Sequence, residues 1–243
     1  VILLWEILVR IGVIDGDFLS APTEVVRAMA DLLGDPDAQE AFRRTGSSIL
    51  LAFVMGTSAG LFVALALGAS RLLREAFLGP IAFVLSTPKS IFLPIFTLIF
   101  GLGGMSAAAF GAFESFFYVV VNVIGGLGLV EQRHLKVADA FGARTVHRYA
   151  DVILPAALPG IFAAFWYGIK HAFLGVMIAQ LWASDGGIGP LIRTYSAALK
   201  TDYVLAIVLL ITIVAVVAGA LWTRAETRMN RWRSTGAATV ATI

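Results

Sequence analysis

The chain contains no cysteine among its 243 residues, which excludes disulfides and thiolate metal sites. Charge is scarce as well: 14% of the residues are Asp, Glu, Lys or Arg, against about 25% in soluble domains. The net charge of +2 is too small to suit a polyanion, so nucleic acid is not an expected partner. The three histidines, His134, His147 and His171, are scattered, and neither H-E-x-x-H nor another metal-ligand cluster occurs. There is no G-x-x-x-x-G-K-[ST] phosphate loop, so the chain is expected neither to bind ATP nor to hydrolyse it.

What the chain has in quantity is apolar surface: 59% of its residues are hydrophobic and the mean hydropathy is +0.88. Several runs reach the roughly 20 residues that cross a bilayer as a helix, and runs this continuously apolar exclude a barrel. The composition therefore predicts an all-α integral membrane protein in contact with lipid, one domain over residues 1–243, with about six spans. Residues 1–13 are apolar but too short to cross, and read as the outer part of a first helix whose beginning is missing. No cleavable signal peptide is evident there. Residues 15–40 are polar and acidic. Within them Pro22 opens an amphipathic helix with Val25, Val26, Met29, Leu32 and Leu33 on one side, expected to lie along the membrane surface. Complete spans are expected at 49–69, 77–101, 105–127, 161–182 and 203–222.

Ser48, Ala52, Gly56, Gly60, Ala64 and Gly68 recur at every fourth position, a stripe of small side chains that lets another helix approach closely. Residues 56–60 (Gly-Thr-Ser-Ala-Gly) also fit the nucleophile pattern G-x-S-x-G. That pattern needs a strand-to-helix elbow, whereas here it falls in the middle of a span and reads as packing. Pro80, Pro88 and Pro94 interrupt the next span, which should be kinked or broken near its middle. Lys89, Glu114, Lys170 and His171 fall inside spans, at depths that make one layer near the bilayer centre. Such groups normally face the bundle interior and have partners. The layer reads first as a Lys89–Glu114 pair joining neighbouring helices, with Lys170 near a water-filled path. Alternatively, Lys89, Lys170 and His171 make a translocation path that suits an anion.

Residues 136–160 form a basic, polar island between apolar runs. Leu135, Ala138 and Phe141 share one face of a short helix, and Gly142 can end it in a left-handed turn. A second short helix follows with Thr145 at its start and Val146, Tyr149 and Ile153 on its apolar side. Pro155 and Pro159 then open a new membrane helix. Placing this knob in the cytoplasm puts Arg71, Arg74, Arg133, Lys136, Arg144, Arg148, Arg224, Arg228, Arg231 and Arg233 inside. Arg27, Arg43, Arg44, Arg193 and Lys200 stay outside with most of the acids, which satisfies the positive-inside bias.

The knob resembles the EAA loop of permease subunits in bacterial ATP-binding-cassette (ABC) importers. That pattern is Glu-Ala-Ala, three residues, Gly, nine residues, then Ile-x-Leu-Pro. Here it reads Lys136-Val137-Ala138, Gly142 and Val152-Ile153-Leu154-Pro155, so that Lys136 and Val137 depart from the family's Glu and Ala. The opening LWEILVRIGVIDGDFLSAPTEVV and the stretch STPKSIFLPIFTLIFGLG are similar to the nitrate, sulfonate and taurine branch, which also includes permeases for thiamine-precursor pyrimidines. The resemblance implies a type I importer fold in the bacterial inner membrane. It implies that Lys136, Ala138, Gly142, Ala143, Val152, Leu154 and Pro155 engage a cytoplasmic ATPase. It further implies a second permease subunit, as a homodimer, two ATPases that hold the ATP and Mg, and an extracytoplasmic binding protein that delivers the solute. The alternative from the residues alone is an ion- or proton-coupled carrier using the Lys89–Glu114 layer.

Overall fold

A computed structural model describes residues 1–16, 18–128 and 132–229, and all the regular structure in them is helical. Two short helices come first, α1 (Ile2–Arg10) and α2 (Pro22–Gly34), followed by the long α3 (Pro36–Ala69). α4 (Arg71–Ser86) is joined through one 3₁₀ turn (Lys89–Phe92) to α5 (Leu93–Phe100), and α6 (Gly104–Gly128) follows. The basic island forms α7 (Gln132–Ala140), the single turn α8 (Thr145–His147) and a widened turn (Arg148–Ile153) that runs into α9 (Leu154–Ala183). α10 (Ile188–Ala197) and the last span α11 (Thr201–Met229) complete the described chain.

The core is α3, α6 and α9, held together at their smallest residues. Lipid chains are as apolar as leucine, so helices associate in a bilayer through close packing. A methyl group added at Gly56 would lie 2.5 Å from the Ala112 carbonyl oxygen, and one at Gly60 would lie 3.0 Å from that of Phe116. The expected stripe on α3 is thus the contact with α6. α9 meets the other side of α6 at two glycine pairs: a methyl at Gly175 would come 2.7 Å from Gly111 Cα, and one at Gly160 2.5 Å from Gly126 Cα. Residue numbers rise together along the α3–α6 contact and oppose each other along α6–α9. α3 and α6 are therefore parallel, and α9 is antiparallel to both.

Parallel α3 and α6 require the chain to return across the bilayer between them, and α4 with α5 makes that return. The pair bends by 92° at the break. Pro88 causes it: its ring pushes Thr87 into extended backbone (φ −85°, ψ 138°) and it offers no N–H to a continuing helix. The expected break is there, but only at Pro88. Pro80 lies inside an unbroken α4, and Pro94 falls in the first turn of α5, where a missing N–H costs nothing.

Among the described residues four helices are long and apolar enough to cross a membrane, or five when the bent pair is counted as one span. The remaining expected span corresponds to α1, which has nine residues, about 14 Å of helix. α2 is amphipathic as expected, but its apolar side packs on another helix. Val25, Ala28 and Leu32 bury against Ala206 and Ile207 of α11, while Val26 and Leu33 stay exposed. α3 begins thirteen residues before the expected start of its span; its first turns carry Glu40, Arg43 and Arg44, which pair with one another.

Candidate functional site

The knob is built by a left-handed cap. Gly142 has φ +71°, a conformation in which L side chains are strained. Its N–H donates to the Asp139 carbonyl, and the Ala143 N–H reaches back to that of Ala138, both at 3.0 Å. Nothing lies within 4 Å of a methyl placed on Gly142, so the backbone angle alone demands glycine. Arg148 ties the second limb to the first through Asp139 at 3.2 Å. The Tyr149 hydroxyl donates to the Leu65 carbonyl at 3.0 Å, which anchors the knob to the C-terminal end of α3.

Of the expected apolar face, Ala138 is buried, Leu135 half-buried and Phe141 88% exposed. Val137 and Val146 are exposed beside it, at 56% and 74%. Lys136 and Pro155 are exposed too, whereas Ala143, Val152 and Leu154 are half-buried where the knob meets the bundle. Pro155 and Pro159 do not open a separate helix. The helical path runs from Arg148 to Ala183 without a break, Pro155 in the first turn of α9 and Pro159 inside it. The widened turn makes this possible: the Leu154 N–H donates five residues back, to the Tyr149 carbonyl, so the path has already stepped out of the α pattern before the first proline ring arrives. The terminal arginines Arg231 and Arg233 lie outside the described residues.

The membrane charges divide into two groups. Lys89 Nζ lies 3.4 Å from Glu114 Oε2, with both side chains almost fully buried. The Lys89 ammonium is also 5.0 Å from the centre of the Tyr118 ring, and Tyr118 stacks on His171 with centroids 3.2 Å apart. This is the pair expected to join neighbouring helices, with His171 added through an aromatic face. Lys170 is elsewhere. One position back on α9 it projects about 100° away, over the rings of Tyr167 at 5.1 Å and Trp166 at 5.9 Å. It is exposed, and it lines a half-open cavity of about 580 Å3 between α3, α9, α10 and α11.

An outer polar knot escaped the sequence reading. Thr45 donates to the fully buried Gln180 side chain at 2.7 Å and accepts from the Ile188 N–H at 2.9 Å. Arg193, expected only as an outer charge, donates to the Gln180, Leu181 and Ser184 carbonyls at 2.6–2.8 Å and so satisfies the C-terminal end of α9. A glutamine inside an apolar run was the available signal. Ser58 of the G-x-S-x-G match donates to the Val54 carbonyl of its own helix, which removes the elbow a nucleophile needs.

Comparison with known proteins agrees with this architecture. The family described as the binding-protein-dependent transport system inner membrane component matches residues 56–231. A putative aliphatic sulfonates transport permease protein, SsuC of Bacillus subtilis, is 26% identical over 96% of this chain and 85% of its own length. The taurine transport system permease protein TauC of Escherichia coli is 26% identical over 87% of this chain and 78% of its own. The nitrate import permease protein NrtB of Leptolyngbya laminosa is 28% identical over 77% and 71%. Among solved structures, an inward-facing form of the MetNI methionine ABC transporter superposes with TM-score 0.64 at 20% identity, covering 77% of this chain and 92% of that one. An amino acid ABC transporter superposes with TM-score 0.60 at 18% identity, covering 88% and 97%. The carrier alternative gains nothing from these relatives. The chain belongs to the binding-protein-dependent inner-membrane transport family and is a multi-pass permease subunit of an ABC importer in the bacterial plasma membrane.

Proposed function

We infer that this permease pairs with a second copy of itself, rests on two cytoplasmic ATPases that hold all the ATP and Mg, and receives a small anion of the sulfonate, taurine or nitrate kind from an outer binding protein. ATP binding closes the ATPases, the knobs follow, and the paired bundles open outward; hydrolysis resets them. The observation that carries this reading is the knob. It is a glycine-capped, ion-paired turn at the inner ends of α3, α6 and α9, with Val137, Phe141 and Val146 presented outward without cover. Exposed apolar side chains on a rigid polar mount suit an interface with another protein. Lys136, Ala138, Gly142, Ala143, Val152, Leu154 and Pro155 are the residues through which motion would pass.

The test is reconstitution of permease, ATPase and binding protein in proteoliposomes, with uptake and ATP hydrolysis measured together. Gly142→Val puts a β-branched side chain at positive φ. It should cut uptake by about tenfold or more while the ATPase, freed from the turn, still hydrolyses ATP. Uptake at the normal rate by this variant would refute the role given to the turn.

A further inference from the structure

The cavity on the Lys170 face of α9 has the volume of a small-molecule site, about 580 Å3. Its walls are apolar, with Ile49 from α3, Trp166 and Phe173 from α9 and Val214 from α11, and it is open along one side, where Lys170, Leu174 and Val214 are exposed. Thr45 borders it, but its hydroxyl is already engaged by Gln180 and Ile188. Lys170 is thus the ionisable group on the wall. The two membrane lysines differ in one respect. Lys89 has Glu114 beside it, whereas Lys170, among the described residues, is met by the faces of Tyr167 and Trp166 and by no carboxylate. A cation held at mid-bilayer on an apolar wall calls for a counter-charge.

We propose that this cavity is a solute-binding site within the permease, and that its ligand is a small oxyanion with an aliphatic tail. The headgroup pairs with Lys170 Nζ and the tail lies against Trp166, Phe173 and Val214. The proposal rests on the permease reading above and adds a place within the chain where solute is selected. Bare nitrate satisfies the ammonium but leaves the apolar wall unfilled, so an alkyl anion is favoured over it. An anionic phospholipid has the same chemistry. Lys170, however, lies thirteen residues inside the outer end of α9, about 20 Å of helix, deeper than a lipid headgroup resides. The occupant is therefore the transported solute.

Two measurements test this. The first is equilibrium binding of radiolabelled butanesulfonate to the purified permease–ATPase complex without binding protein. The second is ATP-driven butanesulfonate uptake by the complete importer in proteoliposomes. Wild type should bind saturably, with nitrate a weak competitor. Lys170→Gln should weaken binding and uptake by about tenfold, whereas Lys170→Arg, which keeps the charge, should stay within about threefold of wild type. Ala215→Phe, which fills the cavity, should abolish binding while ATP hydrolysis stimulated by the binding protein persists. The proposal is overturned if wild type shows no saturable binding, or if Lys170→Gln and Ala215→Phe both bind and transport as wild type does. It is equally overturned if mass spectrometry finds a phospholipid that co-purifies with wild type and is lost in Ala215→Phe. Uptake that needs no ATP would sink the permease reading instead, and the binding result would still stand or fall by itself.

Discussion

α6 and α11 are both apolar helices long enough to cross a membrane, yet they are used in opposite ways. Two thirds of the apolar stretch of α6 is buried, against 11% of that of α11. The difference lies in side-chain size. α6 carries Gly104, Ala107, Ala108, Ala109, Gly111, Ala112, Ser115 and Gly126, and so lets two other helices reach its backbone. α11 carries Val, Leu and Ile on nearly all sides, and Val214, Val216, Val217 and Leu221 stand exposed. Hydropathy says that both helices enter lipid. Residue volume says which one is a core and which one faces outward, because close contact between helices in lipid depends on fit.

The largest effect should come from breaking the fit of α6. Gly160→Leu drives a side chain into the Gly126 backbone, which has no room to yield. It should cost more than about 3 kcal/mol, seen as loss of the monodisperse complex in detergent, whereas Val216→Leu on exposed α11 should change the unfolding midpoint hardly at all. Next comes the buried ion pair. Glu114→Leu alone strands the Lys89 ammonium and should cost about 3–5 kcal/mol; adding Lys89→Met should recover most of it, since two apolar side chains replace a desolvated pair. A double variant as unstable as the single one would mean that the charges themselves hold the 92° bend in place. The smallest effect should be at the knob. Arg148→Ala removes a half-exposed pair with Asp139 worth at most about 1 kcal/mol, visible as faster proteolysis of the knob and not as a shift in global unfolding.

Much of this was legible beforehand where one physical demand governs one residue. The fourfold stripe on α3 had to meet a helix, Pro88 had to break one, and Gly142 had to take positive φ. Other features depend on geometry that pattern alone leaves open. Lys170 and His171 are neighbours in the chain, and only the rotation of α9 decides that one meets Tyr118 and the other meets the cavity. Pro155 and Pro159 read as the start of a helix because a missing N–H is harmless there. A widened turn that carries the helix past them leaves no mark in hydropathy. The polar first turns of α3 fall outside the expected span because hydropathy reads charge as solvent exposure whether or not the backbone is helical.

The unbroken run from Arg148 to Ala183 spans 36 residues, about 54 Å, and it is clamped to α6 backbone against backbone at both glycine pairs. No compressible layer of long side chains separates the two rods there. If the knob has the role proposed for it, a push on its tip is carried along this rod to the end that Arg193 holds. The shaft has a soft joint at the five-residue hydrogen bond between Leu154 and Tyr149. On the proposed role of the knob, that joint is where the motion of the tip would be taken up before it reaches the rod.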